Sequence, residues 1–372
     1  VRKGGFQGIC GWFSRHRWKL DTSKKYAISF RSIQALPDGT LECYSEGMVR
    51  LRRWTSADAA WTRHPAGSGF SYRDEHGERI VDAEVRDRLA SLAIPAAWRD
   101  VRIAPRENAH VLAVGVDALG RTQYIYHPDW TAKRQLVTFD RALELSRVLP
   151  TARRSATSAL RTASDGRDAS LAASFKLLDT AFLRVGSERS AKQFGHRGLT
   201  TLLNRHISLQ EELVLLEFKG KSGVPWSALI EDVELVSFLG ERKGSGAPGR
   251  RILSWKDGRV WRRLSAREVN DDIRARTKGE FTAKDFRTLH GTVFAAGRLA
   301  ELGVGDTARE RKSLVAQAVR DTAELLGNTP AVARSSYIDP RVIDAYDEGR
   351  VVDARRGSGE TELCKLLLDS SS

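Results

Sequence analysis

Apolar positions along this chain change period once, and the change divides it. From about residue 66 to residue 127 they alternate. Phe70 to Ile80 alternates into an Asp74-Glu-His-Gly77 turn and predicts a hairpin. Val101–Ile103 and His110–Val116 read as strands. Asp117-Ala-Leu-Gly120 then turns the chain into Thr122–Tyr126, whose β-branched and aromatic residues suit a pleated, half-buried surface. A short helix over Ala83–Leu92 puts Val85, Leu89 and Leu92 on one face and closes at Ile94-Pro95. His127-Pro-Asp-Trp130 interrupts the alternation and marks a boundary.

Beyond it the period is helical. Phe139, Leu143 and Leu145 lead to an expected break at Pro150, because an interior proline removes a helix hydrogen bond and crowds the preceding turn. Ser158–Ala163 runs into Ser164-Asp-Gly166, which reads as flexible. Leu171, Phe175, Leu178 and Phe182 recur at four, three and four, the spacing of a buried helix face. Leu213–Phe218 and Val224–Leu229 are strands joined through Lys219-Gly-Lys-Ser-Gly223, and Glu241–Arg250 reads as a surface loop. Ser265 with Glu268, and Thr282 with Asp285, are capping-box pairs that each open a helix. Val315, Val319, Thr322, Ala323 and Leu326 mark a further helix face, which Gly327 ends. Thr329-Pro330 starts another helix as N-cap and first residue, and places Arg334 and Tyr337 on one side of it. After about residue 355 the chain tapers into an acidic, then serine-rich, tail.

Composition narrows the function. A chain of 372 residues suits two domains, 41% apolar content is ample for a core, and nine tryptophans argue against disorder. The formal net charge of +14 is spread along the whole chain, which predicts a positive surface facing a polyanion, most often nucleic acid. Cys10, Cys43 and Cys364 have neither ligand spacing nor the look of a disulfide framework, so a reducing compartment is expected. No apolar run approaches about 18 residues and no leader opens the chain, so a cytoplasmic protein without a membrane partner is expected. No carboxylates cluster at metal-site spacing, and neither metal nor other cofactor is expected.

Four short motifs carry the chemistry: Arg184-Val185-Gly186, Phe218-Lys-Gly-Lys221, Lys284-Asp285-Phe286-Arg287, and Gly327-Asn328-Thr329-Pro330 followed by Tyr337. Singly, each has a plain reading. Arg184 suits a helix C-terminus, Lys221 a solvated turn, Arg287 a pairing within its own helix, and Tyr337 a half-buried corner. In this order, and inside these elements, they resemble the poxvirus-like bacterial type IB DNA topoisomerases over roughly residues 51 to 355.

The resemblance implies an α+β protein: a small N-terminal β DNA-binding domain over 51–130 and a mostly helical catalytic domain over 131–363. Residues 1–50 match nothing in the family and read as a poorly ordered extension, and 364–372 as a tail. It also implies that a monomer closes as a clamp round double-stranded DNA, in the nucleoid. The chain would relax supercoils of both signs without ATP or metal, by transient cleavage of one strand through a 3′-phosphotyrosyl link. Tyr337 is then the nucleophile, Arg184 and Arg287 clamp the phosphate, and Lys221 is the general acid for the 5′-oxygen. Asn328 stands where many members carry histidine; its amide can donate a hydrogen bond but cannot shuttle a proton. Lys284 is expected to contact DNA, as are Arg121, Gln123 and Tyr124 of the small domain. Ser190 replaces a tyrosine that touches DNA in relatives.

Two other readings stay open. A tyrosine recombinase shares the Arg-Lys-Arg-Tyr chemistry but carries histidine where Lys284 stands and a helical N-terminal domain. A non-catalytic architectural DNA binder would not need Tyr337 with a complete cationic set.

Overall fold

The computed structural model describes residues 50–368 apart from 163–165, 245, 354 and 356. The expectations for the N-terminal extension, for Cys10 and Cys43, and for most of the Ser164-Asp-Gly166 linker lie outside the described residues. The fold is α+β. It divides into two compact units between Leu136 and Val137.

The alternating stretch of the first unit folds as one antiparallel sheet. Trp61–Ala66 (β1), Gly69–Arg73 (β2), Arg99–Ile103 (β3), Val111–Val116 (β4) and Thr122–Tyr126 (β5) lie in the order β2-β1-β3-β4-β5, with helix α1, Ala83–Ser91, between β2 and β3. The expected 70–80 hairpin forms as a turn with a single antiparallel bridge, Arg73 to Arg79, flanked by Asp74 N–H to Glu78 O at 2.9 Å and Ile80 N–H to Tyr72 O at 3.0 Å. The main partner of β2 is β1, which the apolar pattern hides because its buried residue is Arg63. The Arg63 guanidinium lies 4.1 Å from the Phe70 ring centroid and donates to the carbonyls of Ile94, Pro95 and Trp98 at 2.9, 3.0 and 2.8 Å. A buried cation is tolerated when carbonyl oxygens take up its donors in this way.

Pro128 opens helix α2, which runs unbroken to Thr162 and carries Pro150 inside it. The expected break does not occur. Leu145 and Leu149 before the proline, and Ala152, Ala156 and Ala159 after it, are all buried in one core. Five buried side chains, each contributing of the order of 1–2 kcal/mol, outweigh the roughly 3 kcal/mol that an interior proline costs.

The second unit continues with α3 (Arg167–Ala181) and α4 (Glu188–Phe194), then a sheet of β6 (Ile207–Gln210), β7 (Leu213–Lys219) and β8 (Pro225–Glu231) in that order. Helix α5, Val233–Gly244, takes up the start of the expected Gly/Arg loop. Strands β9 (Ser254–Asp257) and β10 (Val260–Arg263) form a hairpin too short for the periodicity to reveal. Five more helices follow: α6 (Ala266–Thr277), α7 (Ala283–Leu302), α8 (Ala308–Leu326), α9 (Pro330–Ser336) and α10 (Pro340–Asp347). Both capping pairs form. Ser265 and Glu268 satisfy each other's backbone N–H, at 3.2 and 2.9 Å. Asp285 accepts from Thr282 N at 2.7 Å and, on its other oxygen, from Arg141 Nε and Nη2 at 2.9 and 2.7 Å. That second grip anchors α7, buried nearly all round, in the centre of the unit.

The end of the chain also departs from expectation. Gly359–Leu368 is a helix, α11, and not the start of a loose tail. Leu363 and Leu367 enter the main core, and Glu360 joins Asp179 in holding the Arg153 guanidinium, at 2.8 Å and 2.6 Å. Its two core leucines sit one turn apart, but a single helical turn is too short a signal to read alone. Leu363→Ala should therefore cost about 2–5 kcal/mol in urea unfolding, the usual range for a buried leucine. An unfolding midpoint identical to that of the unaltered protein would show that α11 is peripheral.

Candidate active site

Arg184 stands just beyond α3, which ends at Phe182 in the left-handed region, φ 53°. The Arg184-Val-Gly186 backbone is held by Leu199 N–H to Arg184 O at 2.9 Å and Thr200 N–H to Val185 O at 3.0 Å. This approach requires Gly198, where a Cβ would lie 2.6 Å from Arg184 O and 2.7 Å from Gly186 Cα. Arg184 is thus set by a second strand of chain that its own motif does not mention.

Arg287 comes from the second turn of α7 and is 2% exposed. Its guanidinium donates to Phe182 O and, at 2.7 Å, to Leu326 O. Those carbonyls close α3 and α8, so the cation sits at the negative ends of two helix dipoles. Its Nε is buried and has no partner among the described residues.

Helix α8 ends as Gly327 predicts. Gly327 N–H returns to Glu324 O at 3.1 Å and Asn328 N–H to Ala323 O at 2.8 Å, with Gly327 at φ +56°. A Cβ there would lie 2.8 Å from the Trp226 ring of β8. Thr329 caps α9 as expected, and Tyr337 is the residue at which α9 stops, φ −138° and ψ −5°. Because Tyr337 has left helical geometry, it does not share a side with Arg334: the arginine is exposed and the tyrosine 7% exposed. The Tyr337 backbone docks on α7, where Thr292 Oγ1 donates to its carbonyl at 3.2 Å. A Cβ on Gly291 would stand 2.7 Å from that oxygen.

These four stretches bring four side chains together. Arg184 Nη1 donates to the Tyr337 hydroxyl at 3.3 Å, and Arg184 Nη2 to Asn328 Oδ1. Arginine has only donors, so Asn328 must present its oxygen to it, and the amide Nδ2 is left buried without a partner. The Arg287 guanidinium lies 5.0 Å from the Tyr337 ring centroid and 5.9 Å from that of Trp226. Neither arginine meets a carboxylate among the described residues. Two cations, a phenol and two unused donors are therefore gathered with no counter-charge.

The titrations follow from that gathering. Burial alone would raise the Tyr337 phenol, but the charges of Arg287 and Arg184 and their hydrogen bonding outweigh it and hold the phenol below its ordinary value. Burial, then the charge of Arg184, brings Arg287 down to about 10.

The other expected residues stand apart from this cluster. Lys221 is exposed at the turn between β7 and β8, which Ser222 at φ 62° and Gly223 at φ 77° make possible, and its side chain has no partner among the described residues. Its hairpin is nonetheless tied to the cluster through Trp226, packed on Gly327. Lys284 is exposed at the start of α7, three residues before Arg287. In the first unit, Arg121 Nε and Gln123 Nε2 both donate to Asp117 Oδ2, at 2.8 and 2.9 Å. The amide nitrogen of Gln123 is thus engaged within the protein, and the hydrogen bond from Arg121 helps hold Asp117 well below the usual carboxylate range. Tyr124 is 49% exposed and stacks on Tyr126 with centroids 5.8 Å apart. Gly198, Gly291, Thr292 and Trp226 were missed by the sequence reading. None bears an evident chemical signal, and each acts by contact with residues remote in sequence.

A phenol in this setting has a testable titration. The near-ultraviolet difference spectrum between the protein and its Tyr337→Phe variant should show one phenol ionising below pH 10, the ordinary value. In Arg184→Ala the burial remains while one cation is lost, so the midpoint should rise. A midpoint at or above 10 in the unaltered protein would remove the electrostatic account of this cluster.

Comparison with known proteins supplies the family. A family model described as bacterial DNA topoisomerase IB, N-terminal domain, matches residues 69–117. The chain is 25% identical over 291 residues to the DNA topoisomerase 1B of Acanthamoeba polyphaga mimivirus, covering 76% of this chain and 86% of that one. It is 22% identical over 288 residues to the DNA topoisomerase 1B of vaccinia virus (strain Copenhagen), covering 76% and 88%. The DNA topoisomerase 1 of rabbit fibroma virus (strain Kasza) is 21% identical over 319 residues, covering 81% and 96%. Residues 128–351, more than half of the chain, match the catalytic core of eukaryotic DNA topoisomerase I, and the chain belongs to the type IB DNA topoisomerase family.

Proposed function

We propose that the protein relaxes positive and negative supercoils by cutting one strand of duplex DNA, holding its 3′ end on Tyr337 while the other side rotates, and resealing it. The observation that carries this reading is the pair of guanidiniums around the Tyr337 phenol with no carboxylate among the described residues to quench them. The charge they lack is the charge a phosphodiester brings. In the proposed step the phenolate oxygen attacks phosphorus, the bond to the 5′-oxygen breaks, and the departing oxygen takes a proton from the Lys221 ammonium. Arg184, Arg287 through Nε, and Asn328 through Nδ2 donate to non-bridging oxygens, whose charge grows in the transition state. Resealing is the same step reversed. One phosphodiester is exchanged for another, so no nucleotide has to supply energy, and the two guanidiniums supply the charge a metal would otherwise bring.

Lys221 starts exposed and unpartnered, as a group must that meets its target only when DNA arrives. Lys284, Arg121 and Tyr124 are proposed backbone contacts. With its amide nitrogen given to Asp117, Gln123 has its oxygen left to offer. A single copy would grip the duplex with both units.

The protein should relax plasmids of either supercoil sign with EDTA present and no nucleotide. Strict dependence of cleavage on a divalent ion would overturn the scheme. Tyr337→Phe should bind duplex and form no covalent complex. Lys221→Ala should slow single-turnover cleavage by roughly 10²–10⁴-fold. That loss should be largely recovered on a substrate whose bridging 5′-oxygen is sulfur, because a thiolate leaves without a proton. Arg184→Ala and Arg287→Ala should not recover. A Lys221→Ala defect of full size on the sulfur substrate would make Lys221 a phosphate clamp and not the acid.

A further inference from the structure

A second gathering of positive charge lies outside the Tyr337 cluster. The loop before β9, strand β10 and the segment after α4 enclose a cavity of about 320 Å³. Arg197, Arg250, Arg251 and Arg263 line it, and Trp261 forms an apolar wall. We propose that this cavity is a phosphate site that grips a backbone phosphodiester of the same duplex, at a distance from the one being cut. The inference rests on the DNA reading above.

The cavity is built, and two of its cations, Arg197 and Arg263, are under-used among the described residues. Its backbone is cross-tied by Asn204 N–H to Arg250 O at 3.0 Å, Ile252 N–H to Leu202 O at 3.2 Å and the β9–β10 pairing of Arg263 with Ser254. The ordering cost of a binding site is therefore largely met on folding. Glu188 is the only carboxylate that reaches it among the described residues, and both its oxygens are spent on Arg251 Nη2, at 3.0 and 2.9 Å. Arg251 Nη1 donates to Thr201 O, and Arg197 has only a 3.5 Å bond to the same carbonyl. The Arg263 side chain is exposed and makes no hydrogen bond or ion pair among the described residues.

The surroundings register the imbalance. Burial, then the charges of Arg205, Arg197 and Arg251, push the neighbouring His206 imidazole down to about 4. Arg197 is itself lowered, by burial and then by Arg251 and Arg205. Such crowding of like charge opposes folding, and a bound anion relieves it. Planar guanidinium forks match phosphate oxygens in pairs. A stacked base is a poorer occupant, because Arg250 already covers Trp261 at 4.4 Å and Arg242 lies 5.5 Å from it. A backbone phosphate is favoured over a free one by position: Arg197 is two residues from Leu199, whose N–H is bonded to Arg184 O.

The test uses full-length Tyr337→Phe protein, which holds duplex without cutting it, titrated with duplex at several KCl concentrations. Adding Arg263→Gln should weaken binding about equally for all sequences and reduce the slope of log K against log salt by about one. Adding Arg197→Gln as well should weaken it further. Duplex should raise the His206 titration midpoint, followed by NMR, and should do so less in the double variant. Exposed, unpartnered Arg263 makes loss of fold improbable as a cause, and an unchanged thermal midpoint checks it. Duplex binding with an unaltered slope in both variants overturns this inference alone. So does a His206 midpoint that inorganic phosphate raises and duplex does not, since the cavity then takes a free anion. Failure of the parent protein to bind any duplex overturns the functional reading instead.

Discussion

A buried cation that meets no carboxylate among the described residues is the constraint on which the catalytic unit depends. Arg287 is almost wholly enclosed, and an isolated charge in that position would cost several kcal/mol. What holds it is two backbone carbonyls at the C-terminal ends of α3 and α8, where partial negative charge accumulates. Carbonyls stabilise a guanidinium without cancelling it. A carboxylate would have anchored it more firmly and removed the field that lowers Tyr337. The arrangement gives up some stability to keep the charge available.

The rest of the unit shows that this is selective. Arg141 has Asp285, Arg153 has Asp179 and Glu360, and Arg341 has Asp339 and Asp140. In the Arg153 pair, burial would raise Asp179, yet Arg153 and His290 outweigh it and keep the carboxyl ionised. These three partly exposed arginines are neutralised by carboxylates. Arg184 and Arg287 meet no carboxylate among the described residues, and they converge on one phenol. To let them converge, three backbones approach more closely than side chains allow, at Gly198, Gly291 and Gly327. A methyl group at any of the three would push Arg184, Tyr337 or Trp226 from its place.

How much of this was legible follows from how local each cause is. The caps at Ser265 and Thr282, the Gly327 stop and the Thr329-Pro330 start are written within a few residues, and the chain obeys them. The four motifs could be read because each is a short run. What failed depends on distant partners. Pro150 stays inside a helix because five buried neighbours hold it there; β1 hides because its inward residue is Arg63. The α11 leucines matter only against a core assembled from other helices. Arg334 and Tyr337 were placed together by helical spacing, and the helix ends one residue too soon for that spacing to apply.

Asn328 shows most clearly where sequence and structure each contribute. The residue type already excluded proton transfer at that position. The structure adds its orientation: Arg184 can only donate, so the amide oxygen is consumed and the NH2 group is left to face an acceptor. That group can stabilise charge on a phosphate oxygen and do nothing else. In the proposed scheme the proton required by the leaving oxygen comes from Lys221, which is exposed at the β7–β8 turn and has no side-chain partner among the described residues. Trp226, packed on Gly327 and beside Arg287, fixes the arm of the hairpin to the same turn that carries Asn328. Ser222 and Gly223 leave the tip to the solvent. In the proposed scheme electrostatic stabilisation is thereby built into the buried interior, and proton transfer falls to an exposed turn.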